Sequence, residues 1–199
     1  MLSSAIVHRL GEGMVFDTLR AVAGFVFALT GLMISTASPA AVSDVGANGF
    51  EIAITAHIAA TPEAVYAALT APRLWWNPAH TYSHDAANLS LDPHAGGCFC
   101  ETLTDGGSVQ HATVAFVMPN RTLRLRGPLG PFQSQGIASA LTITLKPANG
   151  GTDLSLTDSF GGYMKGGFAN WPKAADAMLS DLVARLKAYA ETGGPTPTQ

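Results

Sequence analysis

Two cysteines separated by one residue, in the run Cys98-Phe99-Cys100-Glu101, are the most distinctive chemical feature of the sequence. Residues two apart on a β-strand share a face, so the thiols would point together, away from Phe99 and Glu101. Their Cα atoms would be about 6.6–6.8 Å apart, the upper edge of what a disulfide tolerates. A strained, reducible disulfide and a soft metal ion held by both thiolates and a histidine are open alternatives. The expectation that we favour is two buried or idle thiols.

Histidines form a second group, which comprises His80, His84, His94 and His111. The spacing of His80 and His84 would align them on a helix, but the residues between them are poor helix formers, so we expect a loop. No glutamate stands beside the first histidine, as the HExxH zinc motif requires. We therefore expect loop histidines that make hydrogen bonds, and we predict no metal and no other cofactor.

Glu101 and His111 fall on consecutive predicted strands and are the candidate catalytic residues. A buried carboxylate with a raised pKa beside a histidine is what proton abstraction from a cyclising substrate requires. No feature of the sequence brings the two side chains together. The expectation that we favour is therefore that one or both lie on the surface.

Aromatic side chains are numerous enough to line a cavity or its mouth, where large rings bind flat apolar molecules well. Trp75 and Trp76 are adjacent and cannot both face inward easily, so at least one is expected at a mouth or on the surface. Glycine-rich segments 127–131 and 161–167 are predicted to be flexible loops at the entrance. The candidate ligand contacts are Trp75, Trp76, His80, Tyr82, Phe99, Phe116, Phe132, Phe160 and Tyr163, although ordinary core packing is expected for most aromatic positions.

The composition narrows the class of protein. The 199 residues include 11 Lys+Arg and 14 Asp+Glu, so the formal charge is −3, and 47% of the residues are hydrophobic. Only 13% are charged, against about 25% in ordinary globular chains, and the length suffices for one core. The mild acidity argues against a nucleic-acid partner, and the one basic cluster, Arg121, Arg124 and Arg126, is expected to be a solvated face.

Residues 1–40 are predicted to be a secretory signal peptide. Arg9 and Arg20 precede an uncharged apolar stretch, 21–34, which is followed by small residues. The stretch is 14 residues long, whereas a membrane span needs about 20, so cleavage is expected rather than anchoring by residues 21–34. Ala40 is the favoured last residue of the leader, Ala37 is a second candidate, and Met14 is an alternative start. The mature protein is expected to be exported, periplasmic or secreted, with no stable membrane span.

The elements that must position these residues follow from hydrophobic periodicity. Alternation predicts strands over 50–58, 96–103, 109–118, 122–126, 140–146 and 153–160, joined by turn-like hairpin connections. Thr61 and Pro62 predict the start of a short helix that runs from Glu63 to Leu69. An apolar stripe predicts a long helix from Trp171 or Pro172 to about Ala190, with Asn170 as N-cap. This order predicts an α+β fold in which a curved antiparallel sheet wraps around the C-terminal helix and leaves a cavity between them.

Several local phrases in this order resemble the START-related helix-grip superfamily (SRPBCC), in its polyketide cyclase and Hsp90-ATPase-activator-like branch. They are residues 60–70, Leu74-Trp75-Trp76, residues 88–97 and 150–154, and the C-terminal amphipathic helix. The resemblance covers 50 to about 190 and implies the helix-grip fold with short helices after the first strand. The predicted organisation is a leader (1–40), a lead-in (41–49), a START-like domain (50–191) and a disordered tail (192–199).

The resemblance implies three classes of function, among which the fold alone does not choose. The leading expectation is an exported domain that binds or carries a small apolar, aromatic or lipid-like molecule between sheet and helix. A cyclase-like or hydrolytic enzyme that uses Glu101 and His111 is the second. The third is a protein-interaction module, against which export counts, because Hsp90 systems need cytosolic ATP.

Overall fold

Eight antiparallel strands form one curved sheet in the structure, a computed structural model that describes residues 41–195. The predicted signal peptide (1–40) and the last four residues of the predicted tail lie outside the described residues. Within the described range, no helix is long and apolar enough to cross a membrane.

The sheet has the strand order β1-β2-β8-β7-β6-β5-β4-β3. Two helices accompany it, α1 (Pro62–Leu69) and the long C-terminal α2 (Pro172–Thr192), together with short 3₁₀ turns. This confirms the predicted α+β helix-grip fold. The strands are β1 (Ala41–Gly46), β2 (Gly49–Ile58), β3 (Leu89–Leu91), β4 (Cys98–Thr102), β5 (Ser108–Met118), β6 (Thr122–Arg126), β7 (Gly136–Ala148) and β8 (Gly151–Tyr163).

Period-two alternation identifies the long strands well, because their inner faces form the core. In β2, Phe50, Ile52, Ile54 and Ile58 are buried, as the pattern predicts. β7 and β8 extend beyond their apolar cores, since backbone pairing continues as far as Gly136–Tyr163 and Ala148–Gly151. The pattern does not reveal β1, which is an exposed edge strand in the predicted lead-in, or β3, which has three residues.

The two helices begin differently. Thr61 caps α1 as predicted, because its hydroxyl accepts a hydrogen bond from the Ala64 amide. The predicted Asn170 cap of α2 is wrong: Trp171 holds the N-cap position, in helical backbone conformation and without a side-chain cap. The Trp171 amide is already donated to the Phe168 carbonyl, so the chain enters α2 from a preceding turn.

The inner face of α2 packs across the sheet and against α1. Ala175, Leu179, Leu182 and Leu186 form its buried stripe, at the spacing that predicts one helix face. Burying side chains of this size contributes about 1.5–3 kcal/mol each. The first two turns of α2 pack less completely, and the cavity described below lies there.

Asp158 is an ionisable residue in this apolar layer. It lies on the inner face of β8, opposite Leu141 of β7 and Ile52 of β2, and it is fully buried. Neither of its carboxyl oxygens has a hydrogen-bond partner among residues 41–195. Burial therefore raises the pKa of Asp158 from 3.8 to about 7, against a smaller opposing effect of nearby Ser139.

This raised pKa makes the stability of the protein fall as the pH rises. The folded state favours the protonated carboxyl, so the stabilisation is complete below pH 3.8 and is lost as the pH rises through about 7. At about 1.4 kcal/mol per pKa unit, the loss amounts to about 4 kcal/mol. We expect Asp158→Asn to remove this loss of stability. The difference in free energy of unfolding between the variant and wild type should therefore shift by about 4 kcal/mol in favour of the variant between pH 4 and pH 8.

Chemical denaturation at several pH values measures this difference. Asp44→Asn is the control, because Asp44 is exposed on the edge strand β1. Wild-type and Asp158→Asn proteins with parallel pH profiles would contradict the assignment of an uncharged Asp158.

Candidate functional site

A cavity of about 430 Å³ lies between the segment that follows α1, the loop after β6 and the first turns of α2. Its walls are mainly apolar, with a few polar groups among them. Cavities of about 300–1,000 Å³ with this kind of lining hold small molecules in many proteins. The lining residues are Trp76, Ala79, His80, Thr81, Tyr82, His111, Leu129, Gly130, Pro131, Phe132, Trp171, Ala174, Ala175 and Met178.

Polar side chains of α2 hold the tryptophan segment in place. Arg185 is buried and donates hydrogen bonds from Nε to the Trp75 carbonyl (2.8 Å) and from Nη2 to the Trp76 carbonyl (3.4 Å). The amide of Asn77 donates to the Asp181 carboxylate at 2.8 Å. Because these contacts fix the backbone on both sides of Trp76, they determine where the cavity wall stands.

The two adjacent tryptophans face different surroundings, as expected from their chain positions. Trp75 is 1% exposed, and its indole nitrogen donates to the Ala68 carbonyl at 2.7 Å. Trp76 lines the cavity, and its ring centroid is 5.2 Å from that of Phe99. Trp75 is thus a core residue that holds α1, while Trp76 is accessible to a ligand.

A buried carboxylate lies behind the cavity wall. Glu101, on β4, has a fully buried side chain that accepts hydrogen bonds from the backbone amides of Tyr82 (3.0 Å) and Ser83. Its Oε2 also lies 2.9 Å from Nε2 of His111. These three contacts tie the segment after α1 to β4 and β5, and they satisfy a charge that would otherwise be costly to bury.

A β-bulge directs His111 toward Glu101. In the pairing of β4 with β5, Phe99 is opposite Ala112 and Cys100 is opposite Gln110, so His111 is the extra residue. The bulge interrupts the alternation of β5, and consecutive residues His111 and Ala112 are both buried. Without it, one of the two would point outward.

Opposing effects set the charges of this pair. Burial alone would raise the pKa of Glu101, but hydrogen bonds from Ser83, Tyr82 and His111 together hold that pKa below its ordinary value. Burial lowers the pKa of His111, and the neighbouring carboxylate only partly offsets this. An ionised Glu101 can only accept, so Nε2 of the neutral imidazole donates and the lone pair is on Nδ1. The site therefore offers a proton acceptor whose ring is held by a carboxylate.

The structure corrects two of the sequence expectations. Glu101 and His111 do not lie on the surface; both are buried and in contact, because register and bulge bring adjacent strands together in a way that sequence spacing does not reveal. Cys98 and Cys100 are not idle thiols; they form a disulfide on the outward face of β4. Their Cα atoms are 5.4 Å apart, closer than a regular strand allows, at the position where the register with β5 shifts.

The predicted ligand contacts divide into three groups. Four of them line the cavity: Trp76, His80, Tyr82 and Phe132. Three lie in the core behind it, namely Trp75, Phe99 and Phe160, the last with its ring 5.0 Å from that of Phe132. The remaining two point away: Phe116 is on the exposed outer face beneath the Arg124 guanidinium, and Tyr163 is 72% exposed.

The cavity residues at the start of α2 are not among the predicted ligand contacts. Trp171 is the N-cap residue, and Ala174, Ala175 and Met178 follow it at helical spacing on the first two turns of the helix. This spacing can be read from the sequence, but it is typical of a helix packed in a core. It does not predict that a cavity separates the first turns of α2 from the sheet. Leu129 and Pro131, from the predicted 127–131 loop, close the opposite side.

Among the described residues, the other histidines do not come together as a metal-binding site. His80 lies 3.9 Å from the Asp181 carboxylate, and His94 pairs with exposed Asp92. Within residues 41–195, no three His, Cys, Asp or Glu side chains converge as metal ligands would. The chemistry of the site therefore rests on the cavity and the Glu101–His111 pair.

Comparisons with known proteins agree with this architecture. The model of the family described as polyketide cyclase / dehydrase and lipid transport matches residues 50–191. Comparison with curated proteins gives no match.

Solved structures share the fold. A conserved protein of unknown function from Enterococcus faecalis is 16% identical, with 80% of this chain and 82% of that chain covered and a TM-score of 0.58. An uncharacterized protein from Rhizobium leguminosarum is 22% identical over 73% and 96% of the two chains, with a TM-score of 0.52. DynU16, a protein in the dynemicin biosynthetic locus, is 22% identical over 74% and 49%, also with a TM-score of 0.52.

Proposed function

Since the chain belongs to the polyketide cyclase / dehydrase and lipid transport family, we propose that it binds a small aromatic molecule whose hydroxyl group donates a hydrogen bond to His111. The observation that carries this proposal is the placement of His111 in the wall of a mainly apolar cavity, with its Nε2 engaged by Glu101. The imidazole Nδ1 is then the acceptor for the ligand.

Both the shape and the chemistry of the cavity favour an aromatic hydroxyl compound. The rings of Trp76, Phe132 and Trp171 and the flexible Met178 side chain present flat or adaptable apolar surfaces. A volume of about 430 Å³ accommodates a ligand of two or three fused rings. A hydroxyl is the matching polar group, because it donates one hydrogen bond and carries no charge that the apolar walls would exclude.

We expect 2-naphthol to bind more tightly than 2-methoxynaphthalene, which has the same rings but no hydroxyl donor. One hydrogen bond contributes about 1–1.5 kcal/mol, so the preference should be about tenfold. Fluorescence titration of both probes measures it. In His111→Phe the preference should disappear while 2-methoxynaphthalene still binds.

A larger side chain in the cavity tests whether the ligand binds there. Met178→Trp should weaken the binding of both probes by about tenfold or more, because the larger side chain occupies the site. Met118→Trp is the matched control, since Met118 is exposed on β5 and does not line the cavity. Equal affinities in the two tryptophan variants would place the ligand elsewhere.

The same pair supports a second candidate function, proton abstraction in a cyclase-like reaction. Nδ1 of His111 would remove a proton from a carbon next to a ketone, the electrons would move to the carbonyl oxygen as an enolate, and Glu101 would stabilise the imidazolium. The observation that favours this is the 2.9 Å contact between a buried carboxylate and the imidazole at the cavity wall.

Deuterium exchange detects this step without knowledge of the substrate. We expect the protein to accelerate exchange of the carbons next to the carbonyl of 2-tetralone in D₂O by about 100-fold, the lower range for general base catalysis. NMR follows the loss of the proton signals. His111→Phe should abolish the acceleration, and His57→Phe, at an exposed strand position, should retain it. If wild-type protein does not accelerate the exchange over the rate without protein, the proton-abstraction proposal is wrong and only the binding proposal stands.

We further propose that the protein is exported. The positive, apolar and small-residue order of residues 1–40 supports this, and so does the disulfide, since such bonds persist mainly in oxidising compartments. The intact mass of the chain from the envelope of the producing cell should correspond to a first residue at Ala41. A mass that includes residues 21–34 would indicate anchoring instead.

A further inference from the structure

We propose that Cys98 and Cys100 are a reversible dithiol–disulfide site that controls how tightly Glu101 holds His111, and thereby the affinity of the cavity for a hydroxyl ligand. This inference rests on the proposed function for its ligand readout, but not for its effect on His111. The argument depends on what lies on each face of a single short strand.

The strand β4 carries the disulfide on one face and the site on the other. Cys98 and Cys100 are half-buried, whereas Phe99 and Glu101 are buried. The disulfide therefore does not touch the cavity, but it joins the backbone positions on either side of Phe99. Any change in the length of this segment moves Phe99 and Glu101 relative to each other.

The segment is shorter than a regular strand. The Cα atoms of Cys98 and Cys100 are 5.4 Å apart, compared with about 6.6–6.8 Å for residues two apart in an extended strand. A disulfide requires a short separation of this kind. When the bond is opened, the constraint is released and β4 can lengthen here by about 1 Å.

The shortened segment lies opposite the bulge that positions His111. Phe99 pairs with Ala112 and Cys100 pairs with Gln110, so the register shift falls between the two cysteines. Lengthening β4 at this point would alter the pairing around His111, which has no opposite residue on β4. The disulfide and the bulge are thus parts of one local arrangement.

Two inward contacts depend on this arrangement. The Phe99 ring centroid is 5.0 Å from that of His111, and Oε2 of Glu101 is 2.9 Å from Nε2 of His111. A displacement of about 1 Å would take the second contact beyond hydrogen-bond distance. Tyr82 and Ser83 belong to the segment after α1, whereas His111 is the bulge residue opposite the shortened part of β4, so we expect His111 to be the partner that is released.

The redox step needs a two-electron donor, for which a small dithiol is the appropriate class. One of its thiolates attacks a sulfur of the Cys98–Cys100 bond and forms a mixed disulfide, and its second thiolate then displaces the remaining cysteine. The dithiol gives two electrons and two protons and becomes a disulfide. Cys98 and Cys100 become two thiols, and an oxidant of the disulfide class reverses the step.

The test compares the oxidised protein, the protein reduced with dithiothreitol, and the variant Cys98→Ser/Cys100→Ser. Histidine ring NMR gives the pKa of His111, whose signal is assigned by its loss in His111→Phe. We expect this pKa to fall by about one unit in the reduced protein and in the serine variant, because the carboxylate no longer supports the charged form. The preference for 2-naphthol over 2-methoxynaphthalene should fall about tenfold in the same two samples.

Two controls identify the route of the effect. Dithiothreitol should not change the serine variant, and reduction of Glu101→Gln should not lower the pKa of His111. Thiol titration verifies the redox state, and circular dichroism verifies the fold. The proposal is overturned if His111 has the same pKa in oxidised and reduced protein, or if reduction unfolds the chain, since the bond would then be a structural staple.

The ligand readout separates this proposal from the proposed function. If the pKa of His111 responds to reduction but oxidised protein shows no preference for 2-naphthol, the redox control stands and the hydroxyl ligand is wrong. If the preference exists but neither it nor the pKa responds to reduction, the ligand assignment stands and the redox control is wrong.

Discussion

The site depends on the cost of burying the carboxylate of Glu101. An ionised carboxyl removed from water is unfavourable by several kcal/mol unless polar donors replace its hydration. Here the donors come from the backbone of Tyr82 and Ser83 and from the ring of His111. Because those donors belong to the segment after α1 and to β5, satisfying one charge on β4 fixes the relative positions of three parts of the chain. The cavity wall is a consequence of that requirement.

The helix contributes the second constraint on the wall. Arg185 binds the carbonyls of Trp75 and Trp76, and Asp181 accepts from Asn77. These bonds attach the tryptophan segment to the middle of α2, while the first two turns, with Ala174 and Met178, stand across the opening. The middle of the helix is held by these hydrogen bonds, whereas the side chains at its start are small or flexible. The start of the helix therefore leaves a cavity and not a closed core.

The sequence predicts the scaffold better than the site, for a physical reason. Alternation and helical spacing indicate which face of an element is buried. They therefore predict the strands β2, β5 and β6 and the helix α2. They also predict that the two cysteines and Glu101 point to opposite faces of β4. They carry no information about register between strands. The Glu101–His111 contact and the bulge depend on register, and the disulfide depends on the local shortening at that bulge.

Edge elements and polar core residues were missed for related reasons. β1 is exposed and has no alternating apolar face to reveal it. Arg185 lies at the edge of the apolar stripe of α2, three residues after Leu182, and its charge predicts solvent contact although it is buried. Its burial becomes understandable only when the carbonyls of Trp75 and Trp76 are in place to accept its hydrogen bonds. Composition and spacing do not encode such a long-range partner.

The buried carboxyls of Glu101 and Asp158 show how one fold assigns different charge states to the same functional group. Glu101 has three donors, which hold its pKa below the ordinary value, whereas Asp158 has none among the described residues, and burial raises its pKa to about 7. Near neutral pH the wall behind the cavity therefore carries a fixed negative charge next to His111, while much of the Asp158 population is uncharged. A base needs the first environment, because the carboxylate stabilises the imidazolium that forms when His111 accepts a proton. The proposed aromatic hydroxyl ligand would need only the neutral imidazole that the same contact orients, so the proposed binding and the proposed proton transfer would use one arrangement and differ in how far the proton moves.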